Sequence, residues 1–162
     1  MKHIKLGFGP EFSTVDDSFE FLSGIKWFKK IDKGYNCYAA TRIRVGCHLV
    51  TITMHRYIMC AKDGQIVDHI NGDGLDNRTC NLRIVTNSQN MMNRKRIKPG
   101  GLSKYKGVTF LRRIKKWSGQ ISVNKNPIYI GVFNTEDEAA LAYNELAKIY
   151  HKEYARLNII ED

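Results

Sequence analysis

The spacing of apolar and polar residues divides the chain into short stretches of different period. Asp16 or Asp17 opens a short predicted helix through Phe19, Phe21 and Leu22, followed by Trp27 and Phe28 as core anchors. Tyr35 to Arg44 and His48 to Met54 read as paired strands; in the second, Leu49, Thr51 and Thr53 alternate with Val50, Ile52 and Met54. Gln65 to Asp68 is a short strand and Asn71 to Asn77 a Gly-rich turn or loop. Asn81 to about Asn93 reads as a helix with Leu82, Val85 and Met92 facing inward.

The second half has its own rhythm. Tyr105 to Leu111, Trp117 to Val123 and Ile128 to Phe133 predict three strands, with turns at Lys115-Lys116 and at Asn124 to Pro127. In the middle strand Trp117, Gly119, Ile121 and Val123 share one face, and Ser118, Gln120, Ser122 and Asn124 the other, so one face packs while the other meets solvent or a ligand. Thr135 with Glu138 forms a capping box, and Ala139, Ala140, Ala142, Tyr143, Leu146, Ala147, Ile149 and Tyr150 form a broad apolar stripe behind it. The stripe is suited to covering the packed face of the sheet rather than to holding a cofactor.

Met91 to Ser103 carries Arg94-Lys95-Arg96, Lys98 and Pro99-Gly100-Gly101 and few core-forming residues, which predicts a basic, partly extended connector. The expectation is an α+β chain in three pieces: residues 1–92 with a strand-rich beginning, a linker over 93–103, and a module over 104–162 in which a three-stranded antiparallel sheet packs on one helix. At about 55 residues that module lies near the lower limit for independent folding. No internal repeat relates the two halves.

Charge changes the picture more than size does. The chain has 162 residues, 43% of them hydrophobic, and a formal charge of +10. No Asp or Glu occurs between Asn77 and Thr135, while Arg78, Arg83, Arg94, Lys95, Arg96, Lys98, Lys104, Lys106, Arg112, Arg113, Lys115, Lys116 and Lys125 supply half of the 26 basic residues. Such a block favours a polyanion, whose counterions it would release on binding. A solvated basic face without a partner is the plainer alternative.

Four cysteines, Cys37, Cys47, Cys60 and Cys80, form no C-x-x-C pair, so no zinc ribbon is indicated and reduced, mostly buried thiols are expected. No apolar run approaches the ~20 residues that span a bilayer, and His3, Lys5 and Gly7 interrupt the apolar positions at the N-terminus. The protein is therefore expected to stay in the cytoplasm, with no membrane partner.

Chemistry concentrates in Val67-Asp68-His69-Ile70-Asn71-Gly72-Asp73-Gly74-Leu75-Asp76-Asn77, followed by Asn81-Leu82-Arg83 and Asn90. An acid and an imidazole stand side by side at the end of an apolar run, with further amides at fixed distances. Those groups suit phosphodiester hydrolysis with one hard metal ion: an oxygen ligand, a base for water, and a second ligand from the next element. A calcium loop starting at Asn71 would need Asp or Asn, Gly and Glu where the chain has Leu75, Asp76 and Leu82. Asn-Gly-Asp-Gly is also ordinary turn chemistry.

These residues resemble the ββα-metal core of HNH endonucleases of the phage and intron homing type, and Met54-His55-Arg56-Tyr57-Ile58-Met59 resembles the segment that precedes it. From Ser103 to Asn158, the motifs Lys104-Tyr105-Lys106-Gly107-Val108, Lys116-Trp117, Ile130-Gly131, Phe133, Glu138-Ala139-Ala140, Ala142-Tyr143 and Leu157-Asn158 resemble the apetala-type, ethylene-response-factor DNA-binding domain. The tandem order is itself a homing-endonuclease arrangement.

The resemblance implies that His69 is the general base, that Asp68 and Asn90 hold one divalent cation, and that Asn81 pins the loop to the strand and so orients the imidazole. Two oxygen donors, one of them neutral, favour Mg²⁺ or Mn²⁺ over Zn²⁺. Asn90 stands where many members have a histidine. In the C-terminal module the resemblance places the sheet in the major groove, with Lys106, Thr109, Gln120, Ser122 and Tyr129 at contacting positions. Arg112, Arg113, Lys115 and Lys116 at the hairpin tip, and Arg94 and Arg96 before it, would meet phosphates. Trp117 reads as core. His55, Arg56 and Arg83 are further candidates for phosphate contacts, and either arginine could instead pair with the acidic loop.

The resulting expectation is a site-directed endonuclease on double-stranded DNA, in a bacterial or phage-infected cell, without a small-molecule cofactor and as a monomer or weak dimer. Two alternatives differ in class: a DNA-binding regulator with a non-catalytic HNH half, and a basic RNA-associated protein, for which no single-strand stacking pattern speaks.

Overall fold

A computed structural model describes residues 1–8, 10–32, 36–95 and 102–160. The chain divides into two compact units, Met1–Thr86 and Asn87–Asp162. It is α+β, with small sheets and few helices. Most of the expected connector, Arg96 included, lies outside the described residues.

In the first unit β1 (Lys2–Lys5) pairs antiparallel with β2 (Phe12–Val15). A 3₁₀ stretch, Asp17–Gly24, stands where the short helix was expected, kinked at Phe19. It drops Leu22 into the core, and the Trp27 indole N–H donates to the Leu22 carbonyl at 2.9 Å. β3 (Phe28–Asp32), β4 (Asn36–Val45) and β5 (His48–Thr53) form an antiparallel sheet in that order. β5 runs directly into a short helix, α1 (Met54–Ile58). The core gathers Ile4, Leu6, Val15, Leu22, Trp27, Ala39, Met54, Ile58 and Leu82. Phe28 is only half-buried, beneath the Arg42 guanidinium.

The predicted helix over 81–93 is where the reading fails. β6 (Ile66–His69) pairs with β7 (Leu82–Val85), His69 opposite Leu82 and Asp68 opposite Arg83. Leu82 and Val85 are three apart, as on a helix face, but in the strand they lie on opposite faces and both are covered while Ile84 is exposed. The β-branched pair Ile84-Val85 and an available antiparallel partner favour the extended chain. Only Asn87–Asn93 is helical; it forms α2 at the start of the second unit.

There, β8 (Val108–Leu111), β9 (Lys116–Val123) and β10 (Asn126–Phe133) form an antiparallel sheet with β9 in the middle. Lys116 already belongs to β9. The second turn is two residues, Asn124 and Lys125, both with positive φ (51° and 68°), the twist a tight hairpin favours. Asn126 and Pro127, expected in the turn, instead pair with Val123 and Ser122 on the edge strand. α3 (Glu136–Tyr150) begins with the predicted capping box and buries Ala139, Ala140, Tyr143 and Ala147 with Val108 and Ile121. Ile149 and Tyr150, assigned to the same stripe, are exposed.

Gly107, at φ +77°, is required by packing: a Cβ there would stand 2.2 Å from the Tyr143 ring and 2.6 Å from the Gln120 carbonyl. All four cysteines are free, and Cys47, Cys60 and Cys80 are exposed rather than buried, because the first two sit in turns and the third in a short 3₁₀ segment, Thr79–Asn81, outside the cores. Among the described residues no helix is long and apolar enough to cross a membrane.

Candidate active site

The site is built on the end of β6 and the loop that follows it. Asx turns shape that loop: the Asn71 carboxamide oxygen accepts from the Asp73 N–H at 2.8 Å, and Asp73 Oδ1 from the Leu75 N–H at 3.0 Å. Gly74 lets it lie against β4, since a Cβ would fall 2.2 Å from the Cys37 carbonyl and 2.7 Å from the Tyr38 ring. β2 clasps the far side: the Thr14 N–H donates to the Leu75 carbonyl at 2.9 Å and the Asn77 N–H to the Thr14 carbonyl at 2.7 Å.

Asn81 ties the loop together. Its Oδ1 accepts from the Asn71 N–H at 3.0 Å, and its Nδ2 donates to the Asp76 carbonyl at 2.8 Å and to Asn71 Oδ1 at 3.0 Å. Asp76 is gripped by Arg78 through both carboxylate oxygens, at 2.7 and 2.6 Å, and the guanidinium holds its carboxyl below the ordinary carboxylate range.

His69 is buried, and its Nε2 faces Asn77 Oδ1 at 3.2 Å. The Asn77 amide is itself oriented, because its Nδ2 donates to Ser13 Oγ at 2.8 Å while the Ser13 hydroxyl lies within reach of the Leu75 carbonyl and Met54 Sδ. An acceptor opposite Nε2 requires the proton there, so the neutral ring carries its lone pair on Nδ1. Burial lowers the pKa of His69, opposed by the Asn77 bond and by Asp68, Asp73 and Asp76.

Two further rings enclose it. His55 meets His69 edge-on with centroids 4.9 Å apart, and Tyr38 lies 5.2 Å from His55 and 6.0 Å from His69. Burial, with the nearby His69, Arg56 and Lys30 charges, pushes the His55 imidazole down to about 3, so this ring is neutral at physiological pH. Thr53 Oγ1 is 3.1 Å from its Nε2.

Asp68, beside His69, is buried against Arg83, whose Nε and one terminal nitrogen approach Oδ2 at 3.0 and 2.9 Å. Arg83 therefore pairs with an acid rather than standing ready for phosphate. Arg56 is likewise engaged, donating to the backbone carbonyls of Gln65 at 2.5 Å and Lys62 at 3.0 Å. Among the described residues no three His, Cys, Asp or Glu side chains converge as a metal cage. A single carboxylate fits, in kind, a hard divalent ion that takes its other oxygens from a neutral amide, water and substrate. Asn90 is half-buried on α2, in the second unit.

Sequence reading named His69, Asp68 and Asn81 and missed Asn77, Ser13 and Tyr38. Asn77 closes the loop motif but resembles any turn residue there, and Ser13 lies 64 residues earlier with no local signal.

In the second unit Thr109, Gln120, Ser122 and Tyr129 are exposed, as are Arg112, Arg113, Lys115 and Lys116 around the first hairpin turn, and Arg94. Lys106 differs: it is half-buried, its ammonium donates to the Met91 and Met92 carbonyls of α2, and burial with Arg156 and Arg94 lowers its pKa to about 8.

Residues 55–92 match the HNH endonuclease family. An uncharacterized HNH endonuclease of Acanthamoeba polyphaga mimivirus is 33% identical over 153 residues, covering 89% of this chain and 76% of that protein. No solved structure matches.

Proposed function

The chain belongs to the HNH endonuclease family, and from that premise we propose that it cuts duplex DNA with His69 as general base, at sites chosen by its C-terminal half in the manner of a homing endonuclease. The observation that carries this reading is the Ser13–Asn77–His69 relay, which leaves Nδ1 as the basic atom of a neutral, buried imidazole inside the segment that matches the family. Nδ1 would take a proton from water as its oxygen attacks phosphorus and the 3′ oxygen leaves.

HNH nucleases generally use a divalent metal; Asp68 is the residue of the first unit that we assign to it here, with Mg²⁺ or Mn²⁺ the fitting ions. When bound, such an ion stabilises charge on the phosphate and the leaving oxygen. Asn81 and Asn77 act through position, the first by fixing the loop and the second by fixing the tautomer and tilt of His69.

For the second unit we propose an apetala-type DNA-binding role. Thr109, Gln120, Ser122 and Tyr129 would read the groove, and Arg112, Arg113, Lys115 and Lys116 would hold phosphates; their common exposure and the acid-free charge support this. The test is cleavage of supercoiled plasmid with Mg²⁺ or Mn²⁺. His69→Ala should lower the rate by about 10² to 10⁴ with DNA affinity nearly unchanged. Equal loss of both, or an intact plasmid with the wild-type protein, would overturn the assignment.

A further inference from the structure

Among the described residues no third strand pairs with the β4–β5 hairpin over its outer half, since β3 reaches only to Ala40. Every residue from Arg42 to Thr51 is exposed, including Ile43, Val45, Leu49 and Val50. A two-stranded ribbon wet on both faces is marginal by itself, yet this one continues for ten residues around a Gly46-Cys47 turn with Gly46 at φ +59°.

Its charge is one-sided. No Asp or Glu occurs from Lys33 through Lys62. Arg42 and Arg44 lie two apart on one face, opposite Thr51 and Leu49, and the Arg42 guanidinium is held over the Phe28 ring at 5.3 Å. At the inner end of this face stands Tyr38, whose ring is 6.0 Å from that of His69. Six residues of strand carry the face from Tyr38 to Arg44, roughly 20 Å, about the width of a duplex.

We propose that this ribbon enters a groove of the duplex beside the cleaved phosphate, with Arg42 and Arg44 contacting DNA and the apolar residues lying along the groove. A two-stranded ribbon matches the major groove, roughly 12 Å wide. Its acid-free, arginine-bearing face is complementary to a polyanion. The inference rests on the nuclease reading above and gives the catalytic half its own hold on DNA.

The experiment measures duplex binding by fluorescence anisotropy in the non-cleaving His69→Ala protein across a salt series. Adding Arg42→Ala and Arg44→Ala should weaken binding at least tenfold and lower the slope of log affinity against log salt by about 1.8, two contacts at ~0.9 each. Arg44→Lys should restore most of the slope. With His69 intact, the double alanine variant should cut slowly at low DNA and recover at saturating DNA. Unchanged affinity and slope in a variant that melts like its parent would overturn the proposal. So would a protein dimer dissociated by Leu49→Asp with DNA affinity intact, which would make the ribbon a contact between copies. Failure of the nuclease reading has a separate signature: full cleavage by His69→Ala, whatever the ribbon variants do.

Discussion

Arg83 and Asp68 face each other across β6 and β7, and the guanidinium brings Nε and a terminal nitrogen onto one carboxylate oxygen, Oδ2, at 3.0 and 2.9 Å. The pair is nearly closed to solvent, so each partner is costly without the other. It also places a cation where a metal ligated by Asp68 would have to share or displace it.

Arg83→Ala should therefore destabilise the protein by about 3 kcal/mol in chelator. Part of that loss should return when Mg²⁺ is added, because the ion neutralises the stranded carboxylate; the wild-type protein should gain less. Thermal melts of both proteins with and without Mg²⁺ make the comparison. Equal gains would argue against Asp68 as a ligand.

Asn77 sets the proton on His69, and that role has a pH signature. With the imidazole pKa lowered by burial, the basic form persists into mildly acidic solution, and the acid limb of the cleavage rate should have its midpoint below the ordinary value of 6.5. Asn77→Asp puts a negative charge beside the ring, favours the imidazolium, and should move that limb upward. A pH–rate profile at saturating DNA decides it; an unmoved limb would mean that His69 is not the titrating base.

The loop at the heart of the site was legible because its chemistry is local. Asn71 and Asp73 make the turn that the Asn-Gly-Asp-Gly run suggests, and Asn81 makes the anchor that the family resemblance implies. β7 was misread as helix because a strand covered on both faces can place apolar residues at a spacing of three, as Leu82 and Val85 do. Ser13 and Tyr38 were invisible because their contacts join residues far apart in the chain, and only pairing of β2 and β4 with their neighbours brings them to His69.

Lys106 tests whether exposure or sequence position governs DNA binding in the second unit. Its ammonium is spent on the Met91 and Met92 carbonyls, so Lys106→Ala should lower the melting temperature and leave the salt dependence of DNA binding nearly unchanged. Arg112→Ala and Arg113→Ala, at exposed positions, should do the reverse, each lowering the salt slope by about 0.9. A full phosphate-sized change for Lys106→Ala would mean that the side chain swings out to the DNA.

His55 couples stability to pH. Its imidazole goes from the ordinary value of 6.5 in the unfolded chain to about 3 when folded, so between those values the unfolded state binds the extra proton. Its contribution is complete above pH 6.5 and drains away as pH falls toward 3, amounting to roughly 2 kcal/mol of lost stability at pH 5. His55→Phe keeps a ring against His69 and Tyr38 but cannot titrate. Denaturant melts at pH 7.5 and 5.0 should show the wild-type protein losing more stability than the variant by about that amount. Equal losses would place the acid sensitivity elsewhere and leave His55 as packing alone.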